Sequence, residues 1–273
     1  MAALGALVLV AALGIAVSRF LDPGLGGPPR CTFTNASGSV FDLTPEQARH
    51  AATIAAIATR RDLPPRAATI AIATAMQESK LRNLPDGDRD SVGLFQQRPS
   101  QGWGTPAQIR NPVYAAGKFY DGLVKVPGWQ TLPLTEAAQK VQLSGAPHAY
   151  AQHETEAAAY AEALTGLRPE AVGCRLKDAA TGPSAQQVRA QLETEAGLAA
   201  DAVDGAIVLQ ARTRRAAATA AAWAVAGADD LGVAEVRLGS RVWRRTTTEE
   251  SLAWAAASEE AADTAVRITL VHR

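Results

Sequence analysis

The sequence predicts a mainly α helical domain followed by a small α+β domain. Two observations carry this. From Thr44 to about Gly166 the chain is a succession of capped segments with apolar or small residues at helical spacing. After Cys174 the pattern becomes mixed, with short apolar runs alternating with helical stretches, as in α+β architectures. The expected organisation is an export segment or anchor over 1–20, a linker over 21–41, the helical domain over 42–174 and the α+β domain over 175–273.

Taken in order, residues Ala2–Val17 are apolar or small. The run is long for the core of a signal peptide and short for a spanning helix, which needs about 20 residues. Ala16-Val17-Ser18 would serve as a cleavage site, yet no basic segment precedes the run, so cleaved signal and retained anchor both stay open. Asp22–Arg30 is rich in proline and glycine and is read as linker. Thr44-Pro45-Glu46-Gln47 has the pattern of a capping box with proline at the first helical position, and the helix is expected to reach about Arg60. Ala48, Ala51, Ala52, Ala55 and Ala58 give it a slim packing face.

A second helix opens at Pro64-Pro65 and carries Ala67, Ile70, Ala71, Thr74 and Ala75 on one stripe. Glu78 falls on that same stripe, in the last turn, where the helix dipole disfavours negative charge. Burial and dipole together favour the protonated carboxyl, the state a general acid needs near neutral pH. The competing expectation is a helix-ending glutamate that bends out to solvent. Asn83 to Asp90 form a polar turn, followed by Ser91-Val92-Gly93-Leu94-Phe95-Gln96-Gln97. Asp86-Gly87-Asp88-Arg89-Asp90 lacks the glycine and the final carboxylate of a calcium loop, so no metal is expected, and a turn that places the next segment is favoured. An aspartate that positions a water is the alternative there.

A loop over Arg98–Asn111 precedes an Asn111-Pro112 helix holding Tyr114, Phe119 and Tyr120. Phe119 is assigned to the core; Tyr114 stays between core and substrate groove. Helices follow over Thr135–Ser144 and up to about Gly166, the latter carrying His148, Tyr150 and His153. Five residues apart, these histidines lack the spacing of paired zinc ligands. Beyond Cys174, helices are expected over Ala185–Ala196 and Thr213–Ala228 and strands over Ala206–Gln210, Val233–Leu238, Val242–Arg244 and Val266–Val271, with Gly239-Ser240 as a hairpin turn.

Balanced charge, with 27 basic and 27 acidic residues, removes the electrostatic footprint of a nucleic-acid binder. The order Glu78-Ser79, polar turn, Ser91-x-Gly93-Leu94-Phe95-Gln96, then Asn111-Pro112, resembles the core of the lysozyme-like superfamily, in particular lytic transglycosylases and goose-type lysozymes. The string DRDSVGLFQQRPSQGWGTPAQIRNPVYAAGKFYDGL is similar to a version carried by secreted actinobacterial cell-wall proteins. The resemblance covers about residues 42–165.

It implies a lysozyme-like fold and a glycosidase that cuts the bond between N-acetylmuramic acid and N-acetylglucosamine in peptidoglycan, with Glu78 as the catalytic acid and no cofactor. It also implies substrate contacts from Ser91, Gly93, Leu94, Gln96 and Gln97. Where many lytic transglycosylases carry a Tyr-Asn pair, this chain has Val141-Gln142; Gln142 could keep the amide role and Tyr150 supply the hydroxyl. Tyr114 is the remaining groove candidate. The expected partners are peptidoglycan glycan strands, and the membrane if the first segment is retained, with the chain a monomer outside the cytoplasm. A non-catalytic wall-binding or assembly protein is the competing reading.

Cys31 and Cys174 bracket the recognised stretch without the spacing of a metal knuckle or redox pair. In an exported protein one disulfide between them is expected, with two unrelated buried thiols the alternative. AAAWAVAGADDLGVAEVRLGSRVWRR faintly resembles a C-terminal domain of secreted wall enzymes in which a metal-binding His/Asp set can occur. With no histidine between Cys174 and His272, a binding or scaffolding appendage is expected.

Overall fold

The computed structural model describes residues 27–143, 148–179 and 181–271. The apolar segment over 1–20, Ser144 and His272 therefore lie outside the described residues. No described helix is long and apolar enough to cross a membrane.

The observed architecture is mixed α+β, which corrects the mainly helical lysozyme-like expectation. Strands β1 (Arg30–Thr34), β2 (Val40–Leu43) and β3 (Val172–Arg175) form an antiparallel sheet in the order β2-β1-β3. Strands β4 (Asp201–Val203), β5 (Ala206–Gln210), β6 (Val233–Leu238), β7 (Arg241–Arg244), β8 (Ala255–Ala256) and β9 (Ala265–Leu270) form a second, in the order β4-β5-β9-β6-β7-β8. Part of the stretch expected as linker, 21–41, is thus β-structure: Cys31, Thr32 and Phe33 are buried. These strands are only four or five residues long, so even the alternation of Cys31 and Phe33 with polar residues in Arg30–Thr34 gives too short a period-two signal to mark a strand.

The longer helices are α1 (Pro45–Arg60), α2 (Pro65–Ser79), α3 (Pro112–Leu123), α4 (Leu134–Gln142), α5 (Glu154–Leu164), α6 (Ala185–Ala196) and α7 (Arg214–Ala226). The capping box at Thr44 forms in both directions, with Gln47 N–H on the Thr44 hydroxyl and Thr44 N–H on the Gln47 side chain. Instead of a slim face, α1 buries every residue from Ala48 to Ala58 except the half-buried His50. It packs against α2, α3, α5, α6 and α7, and alanine's small side chain permits that close approach from several sides.

One hydrophobic cluster runs through both halves of the chain, from Phe33 and Ile54 through Trp223 to Ile268, without a break at Cys174. Cys31 and Cys174 face each other across β1 and β3 and form the disulfide. A buried polar knot ties α1 to α6 and α7. The Arg49 guanidinium is paired through both terminal nitrogens with Glu195, whose carboxylate also accepts from Thr53 Oγ1 at 3.0 Å, Trp223 Nε1 at 2.8 Å and Gln191 Nε2 at 3.1 Å. Burial alone would push the Glu195 carboxyl up, but the Arg49 charge and these hydrogen bonds outweigh it, and the group titrates below the ordinary glutamate value.

Candidate active site around Glu78

The acid helix is buried on all sides from Ala67 to Ala75 and emerges in its last turn, where Met76, Gln77 and Glu78 are half-buried. Lys80 and Leu81 then adopt left-handed backbone, φ 55° and 57°, and end the helix abruptly. Side chains of α1 hold this turn. Gln47 Nε2 donates to the Lys80 carbonyl at 2.9 Å, and His50 Nδ1 lies 2.7 Å from the Leu81 carbonyl. A carbonyl can only accept, so Nδ1 carries the proton; burial meanwhile lowers the His50 pKa and favours the neutral ring.

Ser79 fastens the helix end to the following loop. Its hydroxyl is buried and lies 2.7 Å from the Leu94 carbonyl. Residues 91–97 close on themselves through bridges between Leu84 and Gly93 and between Val92 and Gln97. Gly93 has φ 78°, and a Cβ there would stand 2.8 Å from the Ile109 carbonyl oxygen, so both conformation and space require glycine. Phe95 stacks on Phe119 of α3, with centroids 4.9 Å apart, and anchors the loop in the core.

The Glu78 carboxyl has two polar neighbours from sequence-distant segments. Tyr150, on the 3₁₀ turn Ala149–His153, donates its phenol to Glu78 Oε1 at 2.6 Å. The Gln142 amide hydrogen-bonds Glu78 and also donates to the Phe95 carbonyl at 2.7 Å. Burial raises the Glu78 pKa above the usual carboxylate value, against the two hydrogen bonds, which pull it down. Next to it, Gln77 Oε1 accepts from Gln152 at 3.1 Å and lies 3.2 Å from His153 Nε2. Burial depresses the His153 pKa and favours the neutral imidazole beside Gln77.

The structure therefore brings Glu78, Tyr150 and Gln142 together, and Leu94 and Phe95 with them through Ser79 and Gln142. Ser91 and Gln96 form a second group: the Ser91 hydroxyl is 3.0 Å from Gln96 Oε1, and Gln96 Nε2 donates to the Gly93 carbonyl at 3.2 Å. Other expected groove residues face inward. The Leu94 side chain is fully buried, and Gln97 is buried with its amide on the Ala115 carbonyl at 3.3 Å. Tyr114 is half-buried, its hydroxyl on the Trp103 carbonyl at 3.1 Å and its ring under Lys118. Gln77 and Gln152 have no signal of their own in the sequence, and His153 is weighed there only as a metal ligand or surface residue. Only their adjacence to Glu78 and Tyr150 in the chain pointed to them.

The polar turn is tied at its end to the segment that follows the loop. Asp90 accepts from Arg98 Nε at 2.7 Å and from the amide and hydroxyl of Ser100, and these bonds hold its carboxyl well below the usual range. Committed in this way, it is poorly suited to serve as a base. Among the described residues no three His, Cys, Asp or Glu side chains are grouped to hold a metal ion.

A cleft of about 810 Å³ lies between α1, residues 107–113 and α6, and Glu78 does not line it. Size alone does not make it the reactive centre: Arg49 and Glu195 there neutralise each other, and Asp229 is paired with Arg245. The Glu78 carboxyl is the better candidate because its environment opposes ionisation while leaving it partly accessible. In comparison with known proteins, no protein-family model and no curated protein matches the chain.

Proposed function

We propose that the protein cleaves the β-1,4 bond between N-acetylmuramic acid and N-acetylglucosamine in peptidoglycan, outside the cytoplasm, with Glu78 as the single general acid. The observation that carries this reading is the half-buried Glu78 carboxyl, its pKa raised by burial, with the Tyr150 phenol 2.6 Å away. The order of Glu-Ser and Gly-Leu-Phe-Gln motifs shared with lytic transglycosylases and goose-type lysozymes supports it as a reading of the site, within a chain whose overall fold is α+β. The Cys31–Cys174 disulfide is compatible with an extracytoplasmic location.

In this scheme Tyr150 occupies Oε1 as a donor, so the transferable proton resides on Oε2. That proton passes to the glycosidic oxygen as the C1–O bond breaks and an oxocarbenium-like state develops. The resulting carboxylate is stabilised by the same Tyr150 and Gln142 donors. It then takes a proton either from the sugar's own 6-hydroxyl, whose oxygen closes on C1 to give a 1,6-anhydro end, or from water, which gives a reducing end. Digestion of purified sacculi followed by mass spectrometry of the soluble products tests the proposal. Anhydro or reducing muropeptide ends are the expected result. Absence of any release would overturn it and favour a wall-binding protein.

A further inference from the structure

A second cleft, of about 570 Å³, opens where the end of α1, the turn before α2, the end of α6 and the start of α7 meet. Arg60, Arg212 and Arg215 line it, with Asp62 the one carboxylate among the lining residues. Most described arginines lie within ion-pair distance of a carboxylate; these three do not. Two are oriented by carbonyls, which use one nitrogen each. Arg60 Nη1 donates to Thr194 O at the end of α6, and Arg215 Nε donates to Thr165 O at 3.0 Å. Their other guanidinium donors, and all those of Arg212, have no acceptor among the described residues.

The local sequence adds a second argument. Helix α7 begins Arg214-Arg215 behind its Thr213 cap and has no acidic residue in its first turn. Positive charge at a helix N-terminus opposes the dipole, and an anion relieves that conflict. Arg214 is paired with Asp263 at 3.2 Å, whereas Arg215 turns toward the cleft. Planar guanidinium forks suit the oxygens of a phosphate group. We propose that this cleft binds a phosphate group, either as the free anion or as a phosphodiester of an anionic polymer. The inference does not depend on Glu78 or on the proposed glycosidase activity.

Isothermal titration calorimetry of the intact chain at low salt, with inorganic phosphate and with a glycerol-phosphate oligomer as probes, tests it. Saturable binding of at least one probe is expected, weakened at least tenfold in an Arg212→Gln, Arg215→Gln double variant and unchanged in Arg189→Gln, whose arginine pairs elsewhere. Equal affinity per phosphate group assigns the site to the free anion; preference for the oligomer assigns it to a polymer. Arg212 is exposed and makes no side-chain bond among the described residues, so Arg212→Glu alone decides the matter if the double variant does not fold. Failure of both probes to bind, or binding that survives in folded variants, overturns the proposal.

Discussion

At Glu78 two effects oppose each other: withdrawal from water favours the neutral acid, and the Tyr150 and Gln142 donors favour the carboxylate. Burial wins, and two consequences follow. Because Tyr150 lowers the Glu78 pKa, a Tyr150→Phe variant should shift the alkaline limb of the activity profile to higher pH; a limb that does not move would deny the phenol this role. Stability is linked to the same group. A carboxyl whose pKa is raised on folding contributes fully below its unfolded value, about 4.3, and that contribution is lost as pH rises through the higher folded value. Chemical denaturation of Glu78→Gln across this range should therefore show a smaller loss of stability on the alkaline side than the parent. The carboxylate was legible in the sequence because it lay on an apolar helical stripe. Tyr150, 72 residues away, was only a candidate by elimination, since no local spacing encodes a contact made by tertiary packing.

Among the elements, the acid helix and its loop act as one unit, joined by Ser79 and by the tight approach of Gly93 to Ile109. Alanine at 93 must adopt positive φ and displace a backbone carbonyl, so Gly93→Ala should destabilise by roughly 1–3 kcal/mol and reduce activity, measured by urea denaturation and turnover. Two of the helices were readable because their caps are written in short motifs: Thr44 to Gln47 and Asn111-Pro112 both form side-chain caps. Three-residue β4 and two-residue β8 carry too few positions for any periodicity to show. The β6–β7 hairpin was readable from Gly239-Ser240, but the order of the six strands depends on pairings between residues as far apart as Ala206 and Thr269.

Over the whole molecule, the two halves expected as separate units share one core, fastened by the disulfide and by the buried Arg49–Glu195 pair. Reduction of Cys31–Cys174, which closes a loop of 143 residues, should cost roughly 5 kcal/mol in the chain-entropy account. Glu195→Ala would leave the Arg49 charge buried without its partner and should cost about 3–5 kcal/mol by denaturant titration. The pair also sets an acid limit. Glu195 has its pKa lowered on folding, so its contribution is present above the unfolded value and is lost as pH falls through the folded one. None of this coupling shows in local sequence patterns, because Arg49 and Glu195 read separately as ordinary charged helix residues.

The most direct test of the central claim is the rate at which Glu78→Gln releases muropeptides from purified sacculi, compared with the parent chain at equal thermal stability. Loss of about 10²- to 10⁴-fold in rate, the usual contribution of a positioned acid, is the predicted result. A folded glutamine variant that releases muropeptides at the parent rate would contradict the account.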